Sequence, residues 1–138
     1  MQTLRKIDAH TNIITWFEIP VIDTQRAKKF YESIFEIEMV TRTIPQTGEE
    51  LTFFPYDPNV VQATSGRVTG VLSKSPRSHP SDKGTLVYIN AYPELQLVLN
   101  RVVNAGGKII VPAMQMNAGF IAVIIDTEGN RVGLHSEK

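Results

Sequence analysis

The stretch Ile13-Ile14-Thr15-Trp16-Phe17-Glu18-Ile19-Pro20-Val21, followed closely by Asp23-Thr24-Gln25-Arg26-Ala27-Lys28-Lys29-Phe30-Tyr31-Glu32-Ser33-Ile34-Phe35, decides the fold. Its first part is rich in β-branched and aromatic residues, which suit a pleated surface and predict a strand. Asp23 or Thr24 then offers a side-chain oxygen to the free N–H groups of a helix start. Ala27, Phe30, Tyr31, Ile34 and Phe35 are spaced i, i+3, i+4, i+7, i+8, which is one buried stripe on an α-helix. Arg26, Lys28, Lys29 and Glu32 fall mainly on the other side.

Outward from this unit, strands are expected at Glu38–Thr43, Leu51–Pro55 and Val68–Leu72, with Thr47-Gly48 turning between the first two. Ser and Pro then crowd a stretch that reads as a surface linker, 73–83. The same order returns about 70 residues on. Thr85–Asn90 reads as a strand, and Pro93 suits the first turn of a helix. Leu95, Val98, Leu99, Val102 and Val103 repeat the helical stripe, and Gly106-Gly107 supplies a left-handed stop. Lys108–Val111, Phe120–Ile125 and Arg131–His135 are three further strands, with Asp126-Thr127-Glu128-Gly129-Asn130 as the turn before the last.

The expected fold class is therefore α+β: two βαβββ modules, eight strands with two helices, in a single domain over 1–138. Module one covers about 13–72 and module two about 84–135. Each helix covers one face of its own sheet. The other faces line a shared cleft or a dimer interface.

Bulk properties narrow the function. An apolar fraction of 42% and a charged fraction of 20% fit a globular chain that can bury a core. Formal net charge is zero and no basic stripe appears, so nucleic acid is not an expected partner. No apolar run is long enough for a membrane span, and the start lacks the apolar core and cleavage site of a secretory signal. With no Cys there is no disulfide framework and no thiolate metal site, and the expected location is cytoplasmic. Gly-x-Ser-x-Gly and the Lys-Ser/Thr phosphate loop are both missing.

Two stretches carry a resemblance. Trp16 to Tyr31 is similar to the opening strand–Asp–helix–Phe-Tyr signature of the glyoxalase / bleomycin-resistance / extradiol dioxygenase (vicinal oxygen chelate) superfamily. Gly119 to His135 resembles its closing strand–Asp-x-x-Gly-Asn-turn–strand signature. With the element order between them, the resemblance covers nearly the whole chain. It implies a curved eight-stranded arrangement around a small-molecule cavity, often in a homodimer. Its members include metal-dependent enzymes and non-catalytic sequestering proteins, so fold membership leaves the reaction open.

In the metal-dependent members, ligands sit on the first and last strands of each module. Carried over one at a time, those positions fall on Trp16, Gly70, Thr85 and Gly133. None offers the imidazole or carboxylate a divalent cation wants. His10 lies six residues before Trp16, roughly 20 Å along an extended chain, too far for a register shift to supply it. His79 sits in the linker, where a solvated histidine is the plain reading. No cofactor is expected, and a divalent metal lacks support at the family positions.

Strand alternation puts Glu18 on the face of Trp16, and His135 on the face of Gly133. If those faces line the cavity, Glu18 and His135 are its best ionisable groups and a candidate acid–base pair. Each is equally readable as a structural residue near a strand end. Trp16 offers a flat wall for a planar ligand, or fills the volume a metal and its water would take. Met114 and Met116, expected just ahead of a strand, read as an adaptable lining or as core, and Phe53, Phe54 and Tyr56 carry the same two readings. Asp126, Gly129 and Asn130 read as turn chemistry.

The leading expectation is metal-independent small-molecule binding in the cleft. A lyase or isomerase of the lactoylglutathione-lyase type using Glu18 and His135, with or without a non-standard metal site, is the alternative. A third reading is an interaction module whose sheets mainly make a homodimer.

Overall fold

The protein's structure, a computed structural model, describes residues 6–138; residues 1–5, part of the start examined for a signal, lie outside it. Strand, helix and three strands follow one another twice. Module one holds β1 (Phe17–Pro20), α1 (Thr24–Phe35), β2 (Val40–Thr43), β3 (Glu50–Phe53) and β4 (Gly70–Lys74). Module two holds β5 (Tyr88–Asn90), α2 (Leu95–Val102), β6 (Lys108–Met116), β7 (Gly119–Ile125) and β8 (Arg131–Ser136). Each module forms a four-stranded sheet, ordered β1-β4-β3-β2 and β5-β8-β7-β6. The first and last strands of each pair in parallel, and the remaining ladders are antiparallel. This is the α+β arrangement of two βαβββ modules that the periodicity predicts. Among the described residues no helix is long and apolar enough to cross a membrane.

Helix α1 starts where expected. The Asp23 side chain accepts from the Arg26 N–H at 3.0 Å, satisfying one of the free donors of the first turn. Ala27, Phe30, Tyr31 and Ile34 are buried, while Phe35 packs half-buried at the edge. In α2 the buried positions are Leu95, Val98, Leu99 and Val102. Val103, expected in that stripe, is 64% exposed because the helix ends one residue earlier. The helices pack on each other, and one core cluster draws on both modules. Gly107 packs against α1: a Cβ there would lie 2.7 Å from the Phe30 ring.

Several boundaries differ from expectation. The first strand is four residues long, because Asn12 is tied to the β3–β4 loop by bonds to Gln62 and Ala63 and the chain before Phe17 follows that loop. The first strand of module two begins at Tyr88, where its partner β8 reaches Gly133. Strand β4 extends to Lys74, two residues into the stretch read as linker. Pro93 precedes the N-cap Glu94 and lies outside the helix. Strand β6 runs to Met116, so Met114 and Met116 lie within a strand and not ahead of one.

The recognisable turn at 126–130 does more than reverse the chain. Asp126 is buried, and its carboxylate accepts from the Glu128 and Asn130 backbone N–H groups at 2.8 and 2.9 Å. Its second oxygen accepts from the hydroxyl of Tyr31 at 2.6 Å and from Asn130 Nδ2 at 2.9 Å. The Asn130 amide also donates to the Pro20 carbonyl at 2.7 Å. The covered Glu128 side chain accepts from the N–H groups of Ile22 and Asp23 and from both arms of Arg26. The Phe-Tyr helix of module one and the Asp-x-x-Gly-Asn turn of module two are thus two halves of one joint.

Burial, with the Asp126 charge and hydrogen bond behind it, holds the Tyr31 hydroxyl well above the ordinary tyrosine range. Burial also pushes the Glu128 carboxyl up, but the bonds from Arg26, Asp23 and Ile22 outweigh it and hold the group below its usual 4.5. A carboxyl depressed on folding stabilises the fold fully above its unfolded value and loses that contribution as pH falls through the folded value. Glu128→Gln should therefore flatten the acid limb of the melting-temperature profile between about pH 5 and pH 3. Thermal unfolding across that range, followed by circular dichroism, is the measurement.

Candidate functional site

Register assigns every strand residue to one of two faces. Residues paired across a ladder project to the same side. Phe17 pairs with Gly70 and Ile19 with Leu72, and Ile19 and Leu72 are core residues. Glu18 pairs with Val71, and Val71 with Phe53, on the side away from the core. Trp16 joins that side by an edge contact to Phe53, ring centroids 6.1 Å apart. In module two, Ile89 and Leu134 face the core, while Tyr88 with Gly133 and Asn90 with His135 face away from it. Met114, Met116 and Ile121 share that outer face by the β6–β7 register.

Of the expected cleft residues, Gly70 and Phe54 face the core, and Gly133, Met114 and Met116 sit on the outer face of module two, away from the seam between the modules. Phe54 is buried in the core against Phe17 and Tyr31, and the cleft-side ring is its neighbour Phe53. Gly70 lies on the core face, and a Cβ on it would be driven into the carbonyl and ring of Phe17. The alternation along the strand that separates these pairs has a period of two, so a shift of one residue changes the face. Gly133 does sit on the outer face, with the Tyr88 ring laid across the space its side chain would need.

A cavity of about 440 Å³ opens at the seam between the modules. Ile14, Trp16, Phe17, Glu18, Ile19 and Pro20 supply the module-one wall. The module-two wall includes His79, Lys83, Thr85, Val87 and Arg131. Trp16, Glu18 and Thr85 therefore line one cavity. His79 joins them although the linker reading left it in solvent, and Lys83 and Arg131 carried no sequence signal as cavity residues. A basic residue in a loop reads the same whether the loop folds over a cavity or away from it.

His135 lies elsewhere. It lines a second hollow of about 370 Å³ with Tyr88, Asn90 and Ile121, on the outer face of module two. Its Nε2 bonds the carbonyl of Ala118, which can only accept, so Nε2 carries the proton and Nδ1 is the free ring nitrogen of the neutral form. Glu18 and His135 thus line different cavities within one chain. Of the four positions expected to match the family's ligands, none offers an imidazole or carboxylate, and Gly70 faces the core while Thr85 lies ahead of β5. Among the described residues no group of three or more His, Asp or Glu side chains is gathered where it could hold a metal ion.

A duplicated βαβββ chain with a ligand-sized seam between its modules defines a two-module cleft protein. The chain belongs to the Glyoxalase/Bleomycin resistance protein/Dioxygenase superfamily, whose family model matches residues 13–134. A relative from Mycobacterium bovis, named "Putative glyoxylase CFP32", is 27% identical over 120 residues, 86% of this chain and 43% of its own length. The chain thus spans less than half of that relative. Among solved structures, the trypanothione-dependent glyoxalase I of Leishmania major is 18% identical with a TM-score of 0.63, over 91% of this chain and 87% of that one. The antibiotic binding protein TnmS3 from Streptomyces sp. CB03234 is 20% identical with a TM-score of 0.59, over 92% and 97%. At these identities the structural likenesses speak for the fold alone.

Proposed function

We propose that the chain is a metal-independent small-molecule binding protein that holds its ligand in the seam cavity and works as a homodimer. The observation that carries this reading is the seam itself. Its volume of about 440 Å³ falls in the range of small-molecule pockets, and its wall mixes Trp16, Phe17 and aliphatic side chains with polar and charged ones. An antibiotic-binding protein among the structural neighbours fits the same reading. The homodimer is supported by half-exposed apolar side chains on both outer faces, Val40 and Tyr56 on one and Tyr88, Met114 and Met116 on the other. The absence of cysteine fits a cytoplasmic place of action.

Trp16 is the only tryptophan, so its emission reports directly on the cavity. A screen of planar small molecules should yield ligands that shift it. Trp16→Ala should then weaken the best of them by about 3- to 10-fold in calorimetry, the worth of one aromatic contact. A screen that leaves the emission unmoved, or a ligand whose affinity ignores Trp16, would sink the reading. Sedimentation of the full chain tests the dimer.

The second reading is a lyase or isomerase of the lactoylglutathione-lyase type using Glu18 and His135, in which a non-standard metal site has a place. The fixed tautomer of His135, which leaves Nδ1 available as a base, favours it. The separation of the two residues into different cavities stands against it. Turnover of a hemithioacetal, abolished in a folded His135→Ala chain, would put this reading first.

A further inference from the structure

Arg131 lines the seam cavity and has a buried Nε with no hydrogen-bond partner among the described residues. Arg131 opens β8, and its backbone N–H is tied to the Ser81 carbonyl. Its guanidinium is held by a bond from Nη2 to the Gly84 carbonyl at 2.8 Å. No carboxylate among the described residues forms an ion pair with it. An arginine stays charged at any pH a protein meets, and its N–H groups present a planar fork whose natural complement is a carboxylate. A buried, unpaired donor is an exception that asks for a cause, and the residue that carries it lines a cavity the size of a small ligand.

The other ionisable groups around the cavity are Glu18, His79 and Lys83. Lys83 is 87% exposed in a loose pair with Asp82, so it adds positive field at the rim without filling the interior. Glu18 stands on the face of Trp16 and repels a second anionic group at that end. The cavity thus carries Arg131 on one wall and Glu18 on the other, with Trp16 among its lining residues.

The geometry points to a planar aromatic monocarboxylate as the ligand class, its ring on Trp16 and its acid group on the guanidinium of Arg131. This rests on the binding reading proposed above and names the ligand chemistry of the same cavity. Arg131 is the residue that selects for the acid. Glu18 limits the ligand to one such group or engages a hydroxyl or amino donor beside the ring.

The test titrates the full chain by calorimetry with 2-naphthoate and its uncharged and cationic counterparts, 2-naphthalenemethanol and 2-naphthylmethylammonium. The acid should bind about tenfold tighter than the alcohol, as expected for a charge-assisted fork, and the cation more weakly than either. Arg131→Gln should erase the preference, so that acid and alcohol bind alike. Arg131→Lys, which keeps the charge without the fork, should retain part of it. Melting curves confirm that both variants fold, and the lysine variant keeps the test informative should glutamine disturb the Gly84 loop. Equal binding of acid and alcohol, or a preference that survives in Arg131→Gln, overturns the inference while leaving the binding reading intact. No binding of any of the three also overturns the inference, and the binding reading then rests on the wider screen that follows Trp16 emission.

Discussion

Asp126→Ala is expected to destabilise the chain by about 4 kcal/mol, lowering its melting temperature by roughly 10–15 °C. The carboxylate is buried and accepts from four donors: the Tyr31 hydroxyl, two backbone N–H groups and the Asn130 amide. Alanine leaves these donors in a place water reaches poorly, and each buried donor left unmade costs about 1–3 kcal/mol, partly recovered as the turn relaxes. The loss exceeds that of an ordinary surface turn because Tyr31 belongs to the other module and is fully buried. Tyr31→Phe removes only one donor and should cost about 1–2 kcal/mol. Combining Tyr31→Phe with Asp126→Ala should give less than the sum of the two, a coupling of about 1 kcal/mol or more across the joint. Urea unfolding of the three variants measures this. A cost for Asp126→Ala below about 1 kcal/mol, the range of surface changes, would falsify the joint as a determinant of stability.

The second large effect separates two glycines that the family pattern treats alike. Gly70→Ala should cost about 3 kcal/mol and Gly133→Ala about 1 kcal/mol. A methyl at 70 meets the Phe17 carbonyl oxygen, which belongs to the adjacent parallel strand and cannot move without breaking the β1–β4 ladder. A methyl at 133 meets only the Tyr88 ring at 2.5 Å, and that ring is 46% exposed and free to swing outward. Neither substitution strains the backbone, since neither glycine has a positive φ. The contrast is therefore one of packing alone. Equal costs at the two sites would mean that the β1–β4 ladder yields as easily as an exposed ring.

The same contrast shows how far a sequence can be read. The helical stripe from Ala27 to Ile34 and its repeat from Leu95 to Val102 are local patterns, and a period of 3.6 survives any uncertainty about neighbours. They placed both helices to within two residues and the doubled element order with them. Strand ends were less legible, because a strand exists only where a partner pairs with it. Ile13 to Thr15 have strand-like composition but no ladder, and Gln115 and Met116 gain one from Phe120 and Gly119. Faces were less legible still. Trp16, Glu18 and Thr85 line the seam, whereas Gly70 and Phe54 face the core and Gly133, Met114 and Met116 lie on the outer face of module two.

Sequence by itself determined the α+β class, the duplication, the two helices and the lack of imidazole or carboxylate at the family's metal positions, because each is written in residue type or short-range period. Tertiary structure decided what those motifs do to each other. It made the Asp126–Asn130 turn and the Phe30-Tyr31 helix into one joint, put Glu18 and His135 in separate cavities, and folded Lys83 and Arg131 into the seam beside Trp16. These outcomes depend on contacts between residues up to 110 apart, such as Asn130 with the Pro20 carbonyl, for which no local pattern carries a signal. The seam beside the opening strand therefore became a defined cavity only when the second module closed against it, and that closure brought Arg131 into its wall.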